Sequence, residues 1–132
     1  PYPLPGSAYS DIMPRLVQEP GRWPAYSNYG VAVLGALIED VSGQTFADYV
    51  TNQIFRPLGM IGAEIPTGAR PPRNLVVPQD LTDPSRPIAM PVHPDSLLNL
   101  PSGGAVATAD DMARYMQALV GGPAVPGVLD PV

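Results

Sequence analysis

A chain of 132 residues, 45% of them apolar, is long and apolar enough to form one domain with a core, which argues against intrinsic disorder. Its net charge of −5 contains no run of like charges, and its seven cationic side chains, all arginine, are scattered, so no basic stripe offers itself to a nucleic acid. It has no cysteine, which excludes disulfides, thiolate nucleophiles and thiolate metal sites, and it has no lysine.

In chain order, residues 1–25 hold six prolines, leaving room for one short helix around Ser10 to Gln18 and otherwise for turns and extended chain. The opening Pro1-Tyr2-Pro3-Leu4-Pro5 lacks the basic and apolar regions of a signal peptide, and the absent initiator Met leads us to expect an N-terminus made by processing or excision. From Tyr26 the pattern changes. Val31, Leu34, Ile38 and Val41 recur at helical spacing, with Leu37 widening the stripe, so a helix is expected, its apolar stripe more than the proline-rich loops can cover. Ser27 or Asn28 is placed to cap its first N–H groups, and Gly43 supplies the left-handed residue that ends it. Its most apolar run, Val31 to Ile38, is far shorter than the roughly 20 residues that cross a bilayer.

Thr45 followed three residues later by Asp48 resembles a capping box, and Phe46, Tyr49, Val50 and Ile54 give a second apolar face before Pro57 stops the helix. Between Pro66 and Leu100, eight prolines forbid a helix of ordinary length, so a long loop of the lid or binding-wall kind is expected. Leu75-Val76-Val77 and Gly104-Ala105-Val106 are candidates for short extended pieces. A third helix starts after Thr108, with Asp110 and Asp111 in its favourable first turn, and runs through Met112, Tyr115, Met116 and Leu119 to Gly121-Gly122. The fold class expected is mainly α: three main helices with long proline-rich loops, in a single lobe covering residues 1–132.

The stretch Pro24-Ala25-Tyr26-Ser27-Asn28-Tyr29-Gly30, the helix after it ending at Val41-Ser42-Gly43, and then Pro57-Leu58-Gly59-Met60 resemble the helical region of the serine beta-lactamase-like family. That family includes class C beta-lactamases, the penicillin-binding D-alanyl-D-alanine carboxypeptidases and related esterases. Pro101-Ser102-Gly103-Gly104-Ala105-Val106-Ala107-Thr108-Ala109-Asp110-Asp111-Met112 resembles the glycine-rich turn and helix found later in the same proteins. Together the two blocks cover about half the chain in the expected order.

The resemblance implies that this is a helical lobe whose sheet lobe lies outside the chain. It further implies a parent enzyme acting through an acyl-enzyme on beta-lactam, D-Ala peptide or ester substrates, without a cofactor, in the periplasm or outside the cell. Tyr26 would be the catalytic tyrosine, exchanging protons with the nucleophilic serine and the hydrolytic water. Asn28 would hydrogen-bond the acyl-side amide or carbonyl of the substrate. A phenol ionises near pH 10, so useful phenolate character at neutral pH requires a nearby cation. The family uses the lysine of Ser-x-x-Lys; no serine here is followed by a lysine, and the Lys/His-Thr/Ser-Gly strand motif is also missing. The chain alone is therefore expected to be inert.

Other readings of these residues remain open. Tyr26 could pack its ring in a turn, Asn28 could act only as a helix cap, and Gly103-Gly104 suits a tight backbone turn better than an oxyanion hole. His93, the one histidine, could be oriented by Asp95 or Asp83, but no Gly-x-Ser-x-Gly elbow presents a serine to it, and one histidine among scattered carboxylates does not make a metal site. Asp110 and Asp111 are explained by helix-start electrostatics. The competing function is a non-enzymatic helical interaction module, and in either case exposed apolar surface invites self-association.

Overall fold

The computed structural model describes residues 11, 13–67, 75–77, 79–89 and 100–120. Helix α1, Asn28–Ser42, begins where expected: the Ser27 hydroxyl accepts the Gly30 N–H at 3.1 Å, and Ser27 itself is extended, with φ −144° and ψ 111°. It ends at Gly43, whose φ of 68° lies in the left-handed region that a side chain would resist, and whose N–H donates to the Glu39 carbonyl at 2.9 Å.

Helix α2, Phe46–Val50, follows Thr45, whose hydroxyl accepts the Asp48 N–H at 3.1 Å. The reciprocal arm of the expected capping box is different, because the Asp48 carboxylate accepts from the Thr45 hydroxyl at 2.7 Å rather than from backbone. Beyond Val50 the winding widens into a π-helical segment, Thr51–Phe55, with the Arg56 N–H reaching the Thr51 carbonyl at 3.0 Å. This occurs just before Pro57, which has no N–H with which to continue an α-helical ladder.

Two-residue strands β1, Gln79–Asp80, and β2, Ile88–Ala89, pair antiparallel, with Gln79 opposite Ala89 and Asp80 opposite Ile88. A four-residue helix α3, Leu100–Gly103, precedes a single antiparallel bridge between Glu64 and Val106, and then helix α4, Ala109–Leu119. A complete capping box starts α4: the Thr108 hydroxyl accepts the Asp111 N–H at 3.1 Å, and the Asp111 carboxylate accepts the Thr108 N–H at 3.0 Å.

Val106 is thus extended, as expected of its segment, whereas Leu75-Val76-Val77 carries no regular structure. The short helix expected around Ser10 to Gln18 is not formed over residues 13–17. Pro14 explains this, since its ring disfavours a helical conformation at Met13 and removes a donor. Ser10 and Ile12 lie outside the described residues, as do Gly121 and Gly122.

The main core gathers Val50, Phe55, Leu58, Met60, Ile65 and Leu100, with Phe46, Ile54 and Tyr115 packed against it. Helix α1 belongs to a second, smaller cluster, Ala32 and Ala36 with Tyr29, and it packs on both α2 and α3. The inward face of α1 is the one that carries its small residues. Ala32, Gly35 and Ala36 are buried, whereas Leu34 is 58% exposed, Leu37 55% and Val41 80%. Small side chains let α1 approach α3 closely, and its larger ones are left facing outward.

That exposed stripe has a measurable consequence. Covering apolar surface contributes about 25 cal/mol per Å², so a few hundred Å² of Val33, Leu34, Leu37 and Val41 on each of two copies favours pairing before association entropy is subtracted. We expect concentration-dependent dimers or larger species in sedimentation, with binding of an apolar dye at high dilution. A compact monomer at every concentration that binds no dye would contradict this.

Candidate active site

Tyr26 stands one residue before the Ser27 cap of α1 and is 80% exposed, so its ring does not pack in the core. Asn28 is the first residue of the helix and is also exposed. The capping position falls to Ser27, which removes the reading of Asn28 as the cap and leaves its amide facing outward at the start of a helix. The cation nearest in sequence, Arg22, pairs with Glu19 at 3.2 Å in an exposed ion pair.

The second block is held against the same helix. Pro101 of α3 lies against Gly35, seven residues along α1 from Asn28, or about 10 Å at 1.5 Å per residue. Leu100 is buried, and Gly104 folds back over it with its N–H on the Leu100 carbonyl at 2.9 Å. A β-carbon on Gly104 would come within 2.9 Å of that same carbonyl oxygen, whereas one on Gly103 would meet nothing within 4 Å. Gly104 therefore serves a tight backbone approach.

Between α2 with its π-helical extension and the α3–α4 segment lies a cavity of about 530 Å³. Its walls include Phe46, Val50, Met60, Met112 and Tyr115, with Ser102 and Gly103 also lining it. Tyr26 and Asn28 are not among its lining residues.

Two carboxylates do structural work that the sequence reading missed. Asp111, expected only to favour a helix start, is 2% exposed and joins α4 to the preceding turn: it accepts the Thr108 hydroxyl at 2.7 Å, the Thr108 N–H and the Gly62 N–H at 3.3 Å. The Thr108 hydroxyl above all, then the two backbone N–H groups and the charge of Arg114, hold its carboxyl below the ordinary value in spite of burial. The spacing Thr108-x-x-Asp111 matches that of Thr45-x-x-Asp48, so the capping box was legible; the reach to Gly62, 49 residues away, was not. Glu39 accepts the Phe46 N–H at 2.6 Å across the α1–α2 turn, and its carboxyl is pushed up, first by burial and further by neighbouring Asp40.

In the long loop, Asp80 and Asp83 each close a local turn by accepting both the N–H and the hydroxyl of the residue two ahead, Thr82 and Ser85, and those hydroxyls lower both carboxyls. His93 and Asp95 lie outside the described residues. Among the described residues no helix is long and apolar enough to cross a membrane.

The family model described as Beta-lactamase matches residues 13–128, most of the chain. The chain belongs to the beta-lactamase family. It is 30% identical over 103 residues to the D-alanyl-D-alanine-carboxypeptidase/endopeptidase AmpH of Escherichia coli K12, and equally to that of E. coli O157:H7. Each match covers 78% of this chain and 25% of the relative. The octameric penicillin-binding protein homologue from Pyrococcus abyssi is similar in structure, with a TM-score of 0.67 at 24% identity, over 83% of this chain and 24% of that one. The mainly helical structure therefore matches part of a penicillin-binding-protein fold, and the chain spans about a quarter of the length of these relatives. The family resemblance carried by Tyr26-Ser27-Asn28 and Pro101 to Met112 is borne out at the level of the family.

The Asp111 arrangement sets a pH dependence. Its native carboxyl lies below the ordinary value near 4, so the stability it contributes is present above about pH 4 and is lost as pH falls through the lowered native value. Glu39 runs the other way, contributing below the ordinary value and losing that contribution as pH rises through its raised one. Asp111→Asn is expected to lower Tm at pH 7 and to converge on wild type as the pH approaches 2. Circular-dichroism melts showing the same Tm deficit at both pH values would contradict this assignment.

Proposed function

We propose that this chain is the helical lobe, residues 1–132, of a serine hydrolase that forms an acyl-enzyme on beta-lactam, D-Ala peptide or ester substrates. Within it Tyr26 exchanges protons and Asn28 binds the acyl-side amide or carbonyl. The observation that carries the reading is a family match over residues 13–128 in a chain with no lysine. The serine–lysine pair that activates the nucleophile then belongs to another part of a longer polypeptide, and the isolated lobe is inert.

The chemistry balances with Tyr26 in the relay. As the serine oxygen attacks the carbonyl carbon, its proton passes to the base formed by the lysine and the phenol, and the collapsing tetrahedral intermediate expels the leaving group, which takes that proton. Water then attacks the ester, losing its proton to the same base, and the serine oxygen is reprotonated on leaving. Placement at the exposed head of a capped helix suits both residues: Tyr26 is free to meet a partner from another lobe, and Asn28 presents an uncommitted amide. The AmpH relatives, named as carboxypeptidase and endopeptidase, make a D-Ala peptide the substrate class closest at hand.

The second reading, a non-enzymatic helical module that docks on another polypeptide, draws on the exposed stripe of Leu34, Leu37 and Val41. Kinetics separate the two. In the full-length protein Tyr26→Phe is expected to lower kcat by about 100-fold or more, the range for losing a general acid–base group, with Tm unchanged because the ring is exposed. Unchanged turnover together with a lower Tm would assign Tyr26 to packing instead.

A further inference from the structure

Gly35 lies buried in the middle of α1, flanked on the same face by Ala32 and Ala36. A β-carbon built there would fall 2.7 Å from Pro101 Cβ, closer still to Pro101 Cγ, and 3.5 Å from a ring carbon of Phe46. The obstacle cannot swing aside as a flexible side chain would, because the pyrrolidine ring is fused to its own backbone. Nor is the turn that carries it free to retreat. Leu100 is anchored in the main core, and Gly104 is folded back onto the Leu100 backbone.

Helix α1 is well formed from the Ser27 cap to left-handed Gly43, so it moves as one piece. Tyr26 and Asn28 ride on the head of this helix. A side chain at position 35 must therefore be relieved by a shift between α1, which carries that head, and the Leu100–Gly104 segment.

We propose that Gly35 is a positioning residue for the acyl-transfer reaction: its missing side chain lets α1 seat on the Pro101 ring, and that seat sets where Tyr26 and Asn28 meet the substrate. The inference rests on the functional reading above and adds a residue that touches no substrate. Misplacing a catalytic group by about 1 Å costs up to roughly 100-fold in rate, which makes the contact readable in kinetics.

The test is a cycle in the full-length protein comparing Gly35→Ala, Pro101→Gly and the double variant, with D-Ala peptide hydrolysis and Tm measured on each. Gly35→Ala is expected to lower kcat of the folded enzyme by about 10- to 100-fold with a smaller change in KM. Pro101→Gly in the same molecule is expected to restore most of it by removing the ring. Should Gly35→Ala fail to fold, Pro101→Gly alone decides. It leaves a gap under the helix without a clash and is expected to lower kcat several-fold.

A Gly35→Ala enzyme with lowered Tm but unchanged kcat, a double variant no better than the single, or an unfolded Gly35→Ala beside a Pro101→Gly enzyme of full activity would each overturn the proposal. Amide resonances of selectively labelled tyrosines provide a readout that does not need turnover. If the wild-type protein hydrolyses no acyl substrate, the functional reading fails; shifts at Tyr26 and Tyr29 in Gly35→Ala, reversed by Pro101→Gly, would still uphold the seat, and their absence would remove it.

Discussion

Helix α1 buries Ala32, Gly35 and Ala36 and turns Leu34, Leu37 and Val41 outward, and the rest of the arrangement depends on the close approach this permits. With no side chain at Gly35, the helix axis lies near enough to α3 for the Pro101 ring to fill the gap. The Leu100–Gly104 segment is thereby trapped between α1 and the main core, where Leu100 joins Val50, Phe55 and Met60. Larger residues on that face would hold the two elements apart. The cost is an apolar outer face that this chain leaves uncovered, the feature expected of a helix flanked by protein on more than one side.

Local chemistry was well legible in the sequence, because it is written in residues a few positions apart. Ser27 and Gly43 bound α1 where capping and left-handed geometry place them, and Thr108 starts α4. Pro57 stops the second helix, although the π-helical turn before it left no periodic signature. Which face of α1 packs inward was not legible in the sequence, for a physical reason. A hydrophobic stripe marks the face that prefers burial, and it does not rank that face against a neighbouring one whose small residues allow tighter packing. Pro14 against a helix over residues 13–17 was a local signal given too little weight.

The long-range features had no sequence signal of their own. Asp111 reaching Gly62, Glu39 crossing to Phe46 and Gly35 meeting Pro101 join positions whose proximity only the folded backbone creates. Each is made by a residue type with an adequate local explanation, such as helix-start charge, an exposed helix face or a neutral helix glycine. Family membership, by contrast, was carried by two contiguous blocks and could be read directly. The candidate site is intermediate: Tyr26 and Asn28 were named from their block, and the structure adds that one is exposed and that Ser27 rather than Asn28 caps the helix.

On the proposed function, this chain contributes a placement of polar groups, and the nucleophile and its cation belong to another part of the polypeptide. The most direct measurement is covalent: the full-length protein is treated with a beta-lactam or a fluorophosphonate, and the adduct is mapped by peptide mass spectrometry. The account requires a single labelled serine outside these 132 residues, followed by x-x-Lys, with no label on the isolated chain. Stoichiometric labelling of a serine within the chain, such as Ser102, would contradict it, because the chain would then hold its own nucleophile without a lysine to activate it.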